Sequence, residues 1–296
     1  MSPHLVVVAR LGDVGTSPLE RGDRRDPMSA FEQIAAWPVE RAAAVLLGPA
    51  GFFDSYGDQA GQFRIASVSK LLTTYAGLIA VEEGSIELDE PAARPGATVR
   101  HLLAHAAGYG FDQPEPIAKV GVSRIYSNTG IELFADHLAA RTGIGFADYL
   151  REAVLEPLGM ASTELRGSPA FGIWSCTADL ARFIRELFRP TLIDEATLRM
   201  ATSSQFPTLA GMLPGIGRQD PCDWGLGFEI RGHKHPHWTA LSNSPSTYGH
   251  FGGSGTFLWL DPVAELGLVC LTNRDFGPWA LDVWPALSEA VLAEHR

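Results

Sequence analysis

The strand-like segments of this sequence stand near both ends of the chain, and the segments typical of helices lie between them. Near the N-terminus, two apolar runs flank a Gly-Pro-Ala-Gly turn in "AAAVLLGPAGFFDSYG", which is a β-hairpin signal. From 85 to about 225, apolar residues recur at helical spacing between Gly- and Pro-rich loops. Short strands then return in "GLGFEIRG", "YGHFGG", "GTFLWLDP" and "LGLVCLTNRD", and a helix closes the chain.

This order predicts an α/β chain of the α+β kind, in which the two ends form one mainly antiparallel sheet covered by helices. We expect a sheet lobe at about 40–84 and 225–296, and a helical lobe at about 85–224. The cleft between two lobes is the expected place for a site. Residues 1–27 carry charge, Gly and Pro without apolar periodicity, so they are predicted to be a flexible tail before a single domain at 28–296.

Composition excludes several kinds of partner. The net charge of -11 argues against nucleic acid or an anionic membrane surface, which need a basic face. No apolar run reaches the roughly 18 residues that span a membrane. Cys176, Cys222 and Cys270 lie far apart, so we expect a reducing compartment, the cytoplasm. No nucleotide-binding fingerprint is present and no cofactor is predicted, while the oligomeric state is left open.

A serine and a lysine lie three residues apart where a short strand gives way to an apolar helix. Lys70, one of only three lysines in the chain, follows Ser67 in "FRIASVSKLLTTYAG", and the pattern predicts a helix from about Ser67 to Glu83. Residues three apart on a helix share a face, with Cβ atoms about 5–6 Å apart. An amine whose pKa is lowered by burial can take the proton of a neighbouring hydroxyl. Ser67 and Lys70 are therefore candidates for a nucleophile and its base.

Two further motifs combine with this pair. In "IYSNTG", Tyr126 offers a phenol that can shuttle protons and Asn128 offers a carboxamide that can hold a lysine or a substrate carbonyl. In "YGHFGGSG", His250 and Gly252 open a strand whose glycines let backbone N–H groups approach a substrate closely.

The three motifs, in this order, resemble those of the serine hydrolases related to class C β-lactamases and penicillin-binding proteins. There the pattern is Ser-x-x-Lys, Tyr-x-Asn, then Lys-Thr-Gly or His-x-Gly. The phrases "TVRHLLAHAAG", "FADYLREAVLEPLGMAST" and "CTADLARF" extend the resemblance over roughly residues 40–290. The resemblance implies a β-lactamase/penicillin-binding-protein-like fold, which is a mainly antiparallel sheet covered by helices plus a helical lobe.

The resemblance also implies roles for the motif residues. Ser67 would be the acylated nucleophile, Lys70 its base or hydrogen-bond partner, and Tyr126 the relay of protons to and from the leaving group. Asn128, His250 and Gly252 would position the substrate. The backbone N–H groups of Ser67 and Gly253 would form the oxyanion hole.

One departure from the family pattern bears on the substrate. In β-lactamases the Lys-Thr-Gly strand offers a cation and a hydroxyl to the substrate carboxylate, whereas this chain has His250 and Phe251. If Phe251 projects to the other face of the strand, only the hydroxyl is lost, and Arg124 or Arg218 is a candidate replacement cation. We therefore expect a small ester or amide substrate, with an esterase favoured. A β-lactamase, a D-amino-acid peptidase or amidase, and a catalytically silent ligand-binding relative remain alternatives.

Other signals are weaker. The alternating histidines of "GHKHPHW" suggest metal ligands, but no carboxylate or cysteine stands among them, so no metal site is predicted. His101 and His105 are interpreted as a packed structural pair. Among the tryptophans, Trp174 and Trp224 are candidates for lining an acyl pocket.

Overall fold

A six-stranded antiparallel sheet joins the two ends of the chain. The structure is a computed structural model that describes residues 29–295, so the predicted tail at 1–27 lies outside the described residues. In chain order the strands are β1 (Ala42–Gly48), β2 (Gly51–Tyr56), β3 (Phe63–Arg64), β4 (Arg124–Ile125), β5 (Glu164–Leu165), β6 (Ile173–Ser175), β7 (Gly211–Leu213), β8 (Gly217–Gln219), β9 (Glu229–Ile230), β10 (Tyr248–Gly252), β11 (Thr256–Asp261) and β12 (Leu266–Thr272). The large sheet has the order β2-β1-β12-β11-β10-β9, which confirms the predicted joining of first and last segments.

Helices fill most of the chain between these strands. They are α1 (Ser69–Glu82), α2 (Val99–Leu103), α3 (Asn128–Thr142), α4 (Phe146–Leu150), α5 (Thr177–Phe188), α6 (Glu195–Ala201) and the C-terminal α7 (Pro278–Glu294). Short 3-10 helices lie at Ala30–Ala36 and Ala66–Val68, and α4 continues in a π-helical turn at Arg151–Leu155. The predicted α+β class is confirmed.

Apart from the edge strand β2, the large sheet is buried on both faces, which explains the almost continuous apolar sequences of β1, β11 and β12. In β1, Val45 and Leu47 belong to the core built with α1 and α5, whereas Ala44 and Leu46 belong to the core built with α7 and the first 3-10 helix. This division follows from the alternation of side chains along a strand. Helix α5 lies in the segment 85–224 that we assigned to the helical lobe, yet it packs against β1 and β12.

Two small sheets lie beside the large one and position the motifs. Strand β3, from "FRIA", pairs with β6 in the order β3-β6-β5 and does not extend the large sheet. Strand β4 pairs in parallel with β7, which pairs with β8. The first small sheet leads directly into the Ser67 turn, and the second leads into Tyr126.

Residues 29–295 contain no helix that combines the length and the apolar character needed to cross a membrane. The three cysteines are free thiols, and all three are buried.

Candidate active site

Ser67 sits in a tight turn just before α1. The 3-10 turn Ala66–Val68 carries it, and α1 itself begins at Ser69, two residues later than the pattern predicted. Ala66 has a φ of 44°, in the left-handed region, where a residue with a Cβ is strained by about 1–3 kcal/mol. Ser67 is partly exposed, whereas Ser69 is buried and accepts a hydrogen bond from the Ile173 N–H at 3.1 Å. The turn thus presents the Ser67 hydroxyl to the cleft.

Lys70 is completely buried beside Ser67. Its Nζ donates to Ser67 Oγ at 3.2 Å, to Asn128 Oδ1 at 2.6 Å and to Ala170 O at 2.9 Å. Burial lowers the pKa of Lys70 to about 7, although the charges of Asp112 and Glu132 oppose this shift. Near neutral pH a large fraction of Lys70 is therefore the free amine, which is able to accept the Ser67 proton.

The second motif brings two groups to the other side of Lys70. Asn128 is the first residue of α3, whose N-cap Ser127 accepts from the Gly130 N–H at 2.9 Å. Asn128 Nδ2 donates to Asp112 Oδ1 at 2.8 Å, so its Oδ1 faces the lysine. The Tyr126 ring centroid lies 4.8 Å from Lys70 Nζ. Burial raises the pKa of Tyr126, and a hydrogen bond with Ser67 partly offsets that shift, so the phenol keeps its proton at neutral pH.

The third motif lies on β10, directly against the Ser67 turn. A Cβ at Gly252 would stand 2.4 Å from Ile65 O, so only glycine allows this close approach. The His250 ring lies 5.6 Å from the Tyr126 ring, and its Nδ1 donates to Phe251 O at 2.6 Å. Burial and the neighbouring Lys70 charge lower the pKa of His250 to about 3. His250 is therefore neutral at physiological pH.

Phe251 points to the opposite face of β10 from His250. Its ring packs against Phe276 at 4.6 Å and belongs to the core that includes Trp284. Phe251 therefore offers no group to a substrate carboxylate, and His250, whose pKa is lowered to about 3, does not supply a cation at neutral pH.

The two arginines considered as replacement cations are engaged elsewhere. Arg124 is buried and donates to backbone carbonyls, including Cys222 O at 2.8 Å and Ala104 O at 2.5 Å. Arg218 is exposed and pairs with Asp220 at 2.9 Å. The inner part of the site therefore has no arginine among the residues that line it.

An inner pocket opens beside Ser67. Its volume is about 150 Å³. Ser67, Tyr126, His250 and Gly253 line it together with apolar groups from several loops, namely Phe111, Leu213, Pro214, Gly215, Trp224, Phe251 and Phe276. The lining is mostly apolar, as expected of a small-molecule site.

A wider outer groove meets the inner pocket at Ser67. It has a volume of about 480 Å³ and is lined by charged and polar groups that include Arg64, Asp112, Asn128 and Asp275. Tyr126 and His250 line only the inner pocket, whereas Asn128 lines only the outer groove. The nucleophile thus lies between two chambers of different polarity.

Sequence reasoning missed several of these residues. Phe111 and Asp112 come from the loop after α2, and Leu213 from β7, and none belongs to a recognisable motif. The Gly-rich "AAGYGFD" after a helix was the available signal for a site loop. Of the two tryptophans suggested for a pocket, Trp224 lines it, but Trp174 packs under Arg166 and lines neither chamber at Ser67.

The three histidines of "GHKHPHW" differ in exposure, although their alternating spacing had suggested a shared set of metal ligands. His233 and His235 are exposed, while His237 is buried and bonds Glu229 at 2.9 Å. Within residues 29–295, no cluster of three or more His, Cys, Asp or Glu side chains could hold a metal ion.

His101 and His105 do not pair with each other in the structure. The His101 ring stacks on Phe206 at 4.6 Å. His105 is buried against the Tyr126 ring at 4.7 Å, and its Nδ1 accepts from the Ser127 N–H at 3.3 Å. His105 therefore supports the Tyr126 side of the site.

Known proteins show where this fold and site belong. A family model described as β-lactamase matches residues 58–292. A solved structure described as a β-lactamase from Mycobacterium bovis is 52% identical and has a TM-score of 0.89, over 90% of this chain and 99% of that one. The chain therefore belongs to the β-lactamase family of serine hydrolases, as the motifs predicted.

More distant relatives carry two different activities. The β-lactamase of Escherichia coli K12 is 22% identical over 72% of this chain and 76% of its own length. The D-alanyl-D-alanine-carboxypeptidase/endopeptidase AmpH of the same strain is 26% identical over 71% of this chain and 70% of its own.

Proposed function

We propose that this protein hydrolyses small carboxylic esters through an acyl-enzyme on Ser67. Ser67 Oγ attacks the ester carbonyl while Lys70 takes its proton, and the N–H groups of Ser67 and Gly253 hold the oxyanion. Tyr126 gives its proton to the leaving oxygen as the C–O bond breaks, and Lys70 returns a proton to Tyr126. Water then attacks the acyl-enzyme by the same route and releases the acid. The buried Lys70, within hydrogen-bond distance of Ser67 and with a pKa of about 7, supports this sequence of steps.

The ester preference rests on the neutral state of His250. A β-lactam or a peptide C-terminus carries a carboxylate, and the His250 end of the inner pocket offers it no positive charge. Hydrogen bonds to a charged group contribute about 1.5–3 kcal/mol, so losing one or two weakens carboxylate binding by roughly tenfold to about 10⁴-fold. A neutral ester has no carboxylate, so the absence of a cation at this position does not weaken its binding.

β-Lactam hydrolysis is the second candidate, because a relative at 52% identity is described as a β-lactamase. Arg64, which lines the outer groove, is the cation that a carboxylate would have to reach. The substrate carboxylate of a D-amino-acid peptidase would also have to reach Arg64.

A substrate panel decides between these activities. We would measure kcat/KM for p-nitrophenyl butyrate, a chromogenic cephalosporin and a D-alanine anilide, each divided by its uncatalysed hydrolysis rate. We expect the ester to exceed the cephalosporin by at least about tenfold, from the lost carboxylate contacts. A normalised ratio near or below one would place β-lactam hydrolysis first.

Ser67→Ala should abolish every activity in the panel and labelling by a fluorophosphonate. Ser254→Ala is the matched control and should keep both activity and labelling. Ser254 lines the outer groove, but its hydroxyl donates a hydrogen bond to Arg64 O at 2.6 Å. Wild-type protein that neither turns over a substrate nor becomes labelled would instead be a silent ligand-binding relative.

A further inference from the structure

His250, which lines the inner pocket, carries a buried hydrogen-bond acceptor that no group in the described part of the chain uses. His250 Nδ1 lies 2.6 Å from Phe251 O, which can only accept, so Nδ1 carries the proton of the neutral ring. The distal Nε2 is then left with a free lone pair. It is buried, and no donor in the described part of the chain reaches it.

The neighbouring wall contains an unused donor. The Trp224 ring lies 5.6 Å from the His250 ring, and both side chains line the inner pocket. Trp224 is 1% exposed, and its indole N–H has no acceptor within residues 29–295. A third nitrogen that lacks a partner among the described residues, His105 Nε2, belongs to a ring 5.0 Å from that of Trp224, but His105 does not line the pocket. Buried polar atoms without partners are rare in folded proteins, so two of them on side chains that line one pocket point to a ligand.

A hydroxyl group complements this pair, because it can donate to His250 Nε2 and accept from Trp224 Nε1. A carboxylate can only accept, and it would face the lone pair of Nε2. A purely apolar group would leave both ring nitrogens unpaired. The pocket chemistry therefore favours a neutral ligand group that has its own O–H.

The pocket belongs to the leaving-group side of the proposed reaction. Tyr126, which would protonate the leaving oxygen, lines this pocket and not the outer groove. The volume of about 150 Å³ is similar to that of a cavity that holds one benzene molecule, so only a few non-hydrogen atoms fit.

We propose that the inner pocket selects esters whose leaving alcohol carries a second, free hydroxyl group, such as monoesters of small diols or triols. This proposal rests on the ester hydrolysis proposed above. The free hydroxyl donates to His250 Nε2, while Trp224 Nε1 donates to the hydroxyl oxygen. The acyl chain then extends from Ser67 into the outer groove.

A series of butyrate esters tests this selection in the wild-type protein. The leaving alcohols are ethylene glycol, propan-1-ol and glycolate, which have nearly equal size. Each kcat/KM is divided by the rate of hydroxide-catalysed hydrolysis of the same ester. We expect 2-hydroxyethyl butyrate to exceed propyl butyrate by about tenfold, as for one or two neutral hydrogen bonds, and the glycolate ester to fall below propyl. Equal rates for the first two, or a preference for the glycolate ester, would overturn the proposal.

Two substitutions at His250 test whether its Nε2 causes the preference for the hydroxyethyl ester over the propyl ester. His250→Asn can keep an N–H near the Nδ1 position but removes the distal acceptor, so the ratio of hydroxyethyl to propyl ester should fall to about one, whatever the absolute rates. His250→Gln can place an amide oxygen near the Nε2 position and should retain part of the preference. An unchanged ratio in His250→Asn contradicts the role of Nε2.

The two proposals fail in different ways. Slow or absent hydrolysis of all three esters by a protein whose Ser67 is labelled removes the ester function, and this inference with it. Rapid hydrolysis of propyl and hydroxyethyl esters at equal rates removes only the inference. Thermal unfolding of each variant identifies any that do not fold, and the wild-type series is decisive without them.

Discussion

Burial and nearby charges determine the protonation state of Lys70. Burial lowers its pKa to about 7, and the charge of Asp112 opposes the shift. Because the free amine must accept the Ser67 proton, kcat/KM for acylation should fall about tenfold per pH unit below about pH 7 and level off above it. Asp112→Asn removes a charge that raises the Lys70 pKa, so the midpoint of the kcat/KM profile should move to lower pH.

Asp275→Asn is the matched control for this measurement, because Asp275 lines the same outer groove but does not contribute to the Lys70 shift. Its midpoint should equal that of the wild type. A midpoint that moves upward in Asp112→Asn, or moves equally in both variants, would show that another group controls the profile.

Removing the Lys70 amine should affect kcat/KM more than removing the Asp112 charge does. Lys70→Met should lower kcat/KM by about 10²–10⁴, the usual contribution of a positioned base, and remove the inflection near pH 7. Lys119→Met, at an exposed lysine, should leave both unchanged. If Lys70→Met keeps the wild-type rate, Lys70 is not the base.

At the scale of elements, the site depends on how closely β10 approaches the Ser67 turn. Gly252→Ala would place a Cβ 2.4 Å from Ile65 O and 2.5 Å from Thr256 Oγ1, so the strand must move away from the turn. We expect a loss of stability of about 1–3 kcal/mol, as for overpacking, and a greatly reduced kcat. Denaturant unfolding and steady-state kinetics measure the two effects.

The adjacent glycine provides the control. A Cβ at Gly253 meets nothing within 4 Å, so Gly253→Ala should fold normally and retain its backbone N–H for the oxyanion. Equal stability and activity in the two variants would show that the close approach at Gly252 is unimportant.

The loop between β9 and β10 supports the pocket wall through a buried ion pair. Lys234 Nζ lies 3.4 Å from Glu229 Oε1 and 5.9 Å from the centroid of the Trp224 ring. Burial by itself would raise the pKa of Glu229, but Lys234, His237 and the Trp238 N–H together lower it to about 2. The carboxylate therefore stabilises the fold above its ordinary pKa of 4.5, and this stabilisation is lost as the pH falls toward 2.

Lys234→Met should destabilise the protein by about 3–5 kcal/mol at pH 7, because it leaves the Glu229 carboxylate buried without its cation. The difference from wild type should narrow as the pH falls toward 2, because the folded variant, without the lysine that lowers the Glu229 pKa, protonates this carboxylate at a higher pH than the folded wild type does. Urea unfolding of this variant and of Lys119→Met across that range makes the measurement. A difference below about 1 kcal/mol at pH 7 would indicate that the pair is not strongly coupled.

For the whole molecule, the sheet makes the two ends of the chain depend on each other. Strand β1 pairs with β12 along Ala42 to Leu47, so neither end can complete the sheet alone. Helix α5, from the middle of the chain, packs on the same two strands. We therefore expect one cooperative unfolding transition, with coincident midpoints by tryptophan fluorescence and far-UV circular dichroism. Two separated transitions would contradict the prediction of a single domain at 28–296.

Much of the arrangement could be predicted from local pattern. The hairpin of β1 and β2 and the three C-terminal strands follow from apolar runs and turn residues, and Ser67 and Lys70 meet because their spacing is that of one helical turn. The predicted helix start was two residues early, because a 3-10 turn that begins at the left-handed Ala66 precedes α1, and no side-chain pattern reveals this turn. Local spacing therefore determines which elements form and which motif residues become neighbours.

The sequence by itself determined the family, the antiparallel sheet built from both ends, and the identity of the candidate catalytic groups. The tertiary structure decided what those groups can do. The pKa of Lys70, the neutral state of His250 and the inner pocket all depend on burial and on loops distant in sequence, such as those of Phe111 and Leu213. Desolvation and through-space charge depend on three-dimensional surroundings, so spacing along the chain cannot encode them.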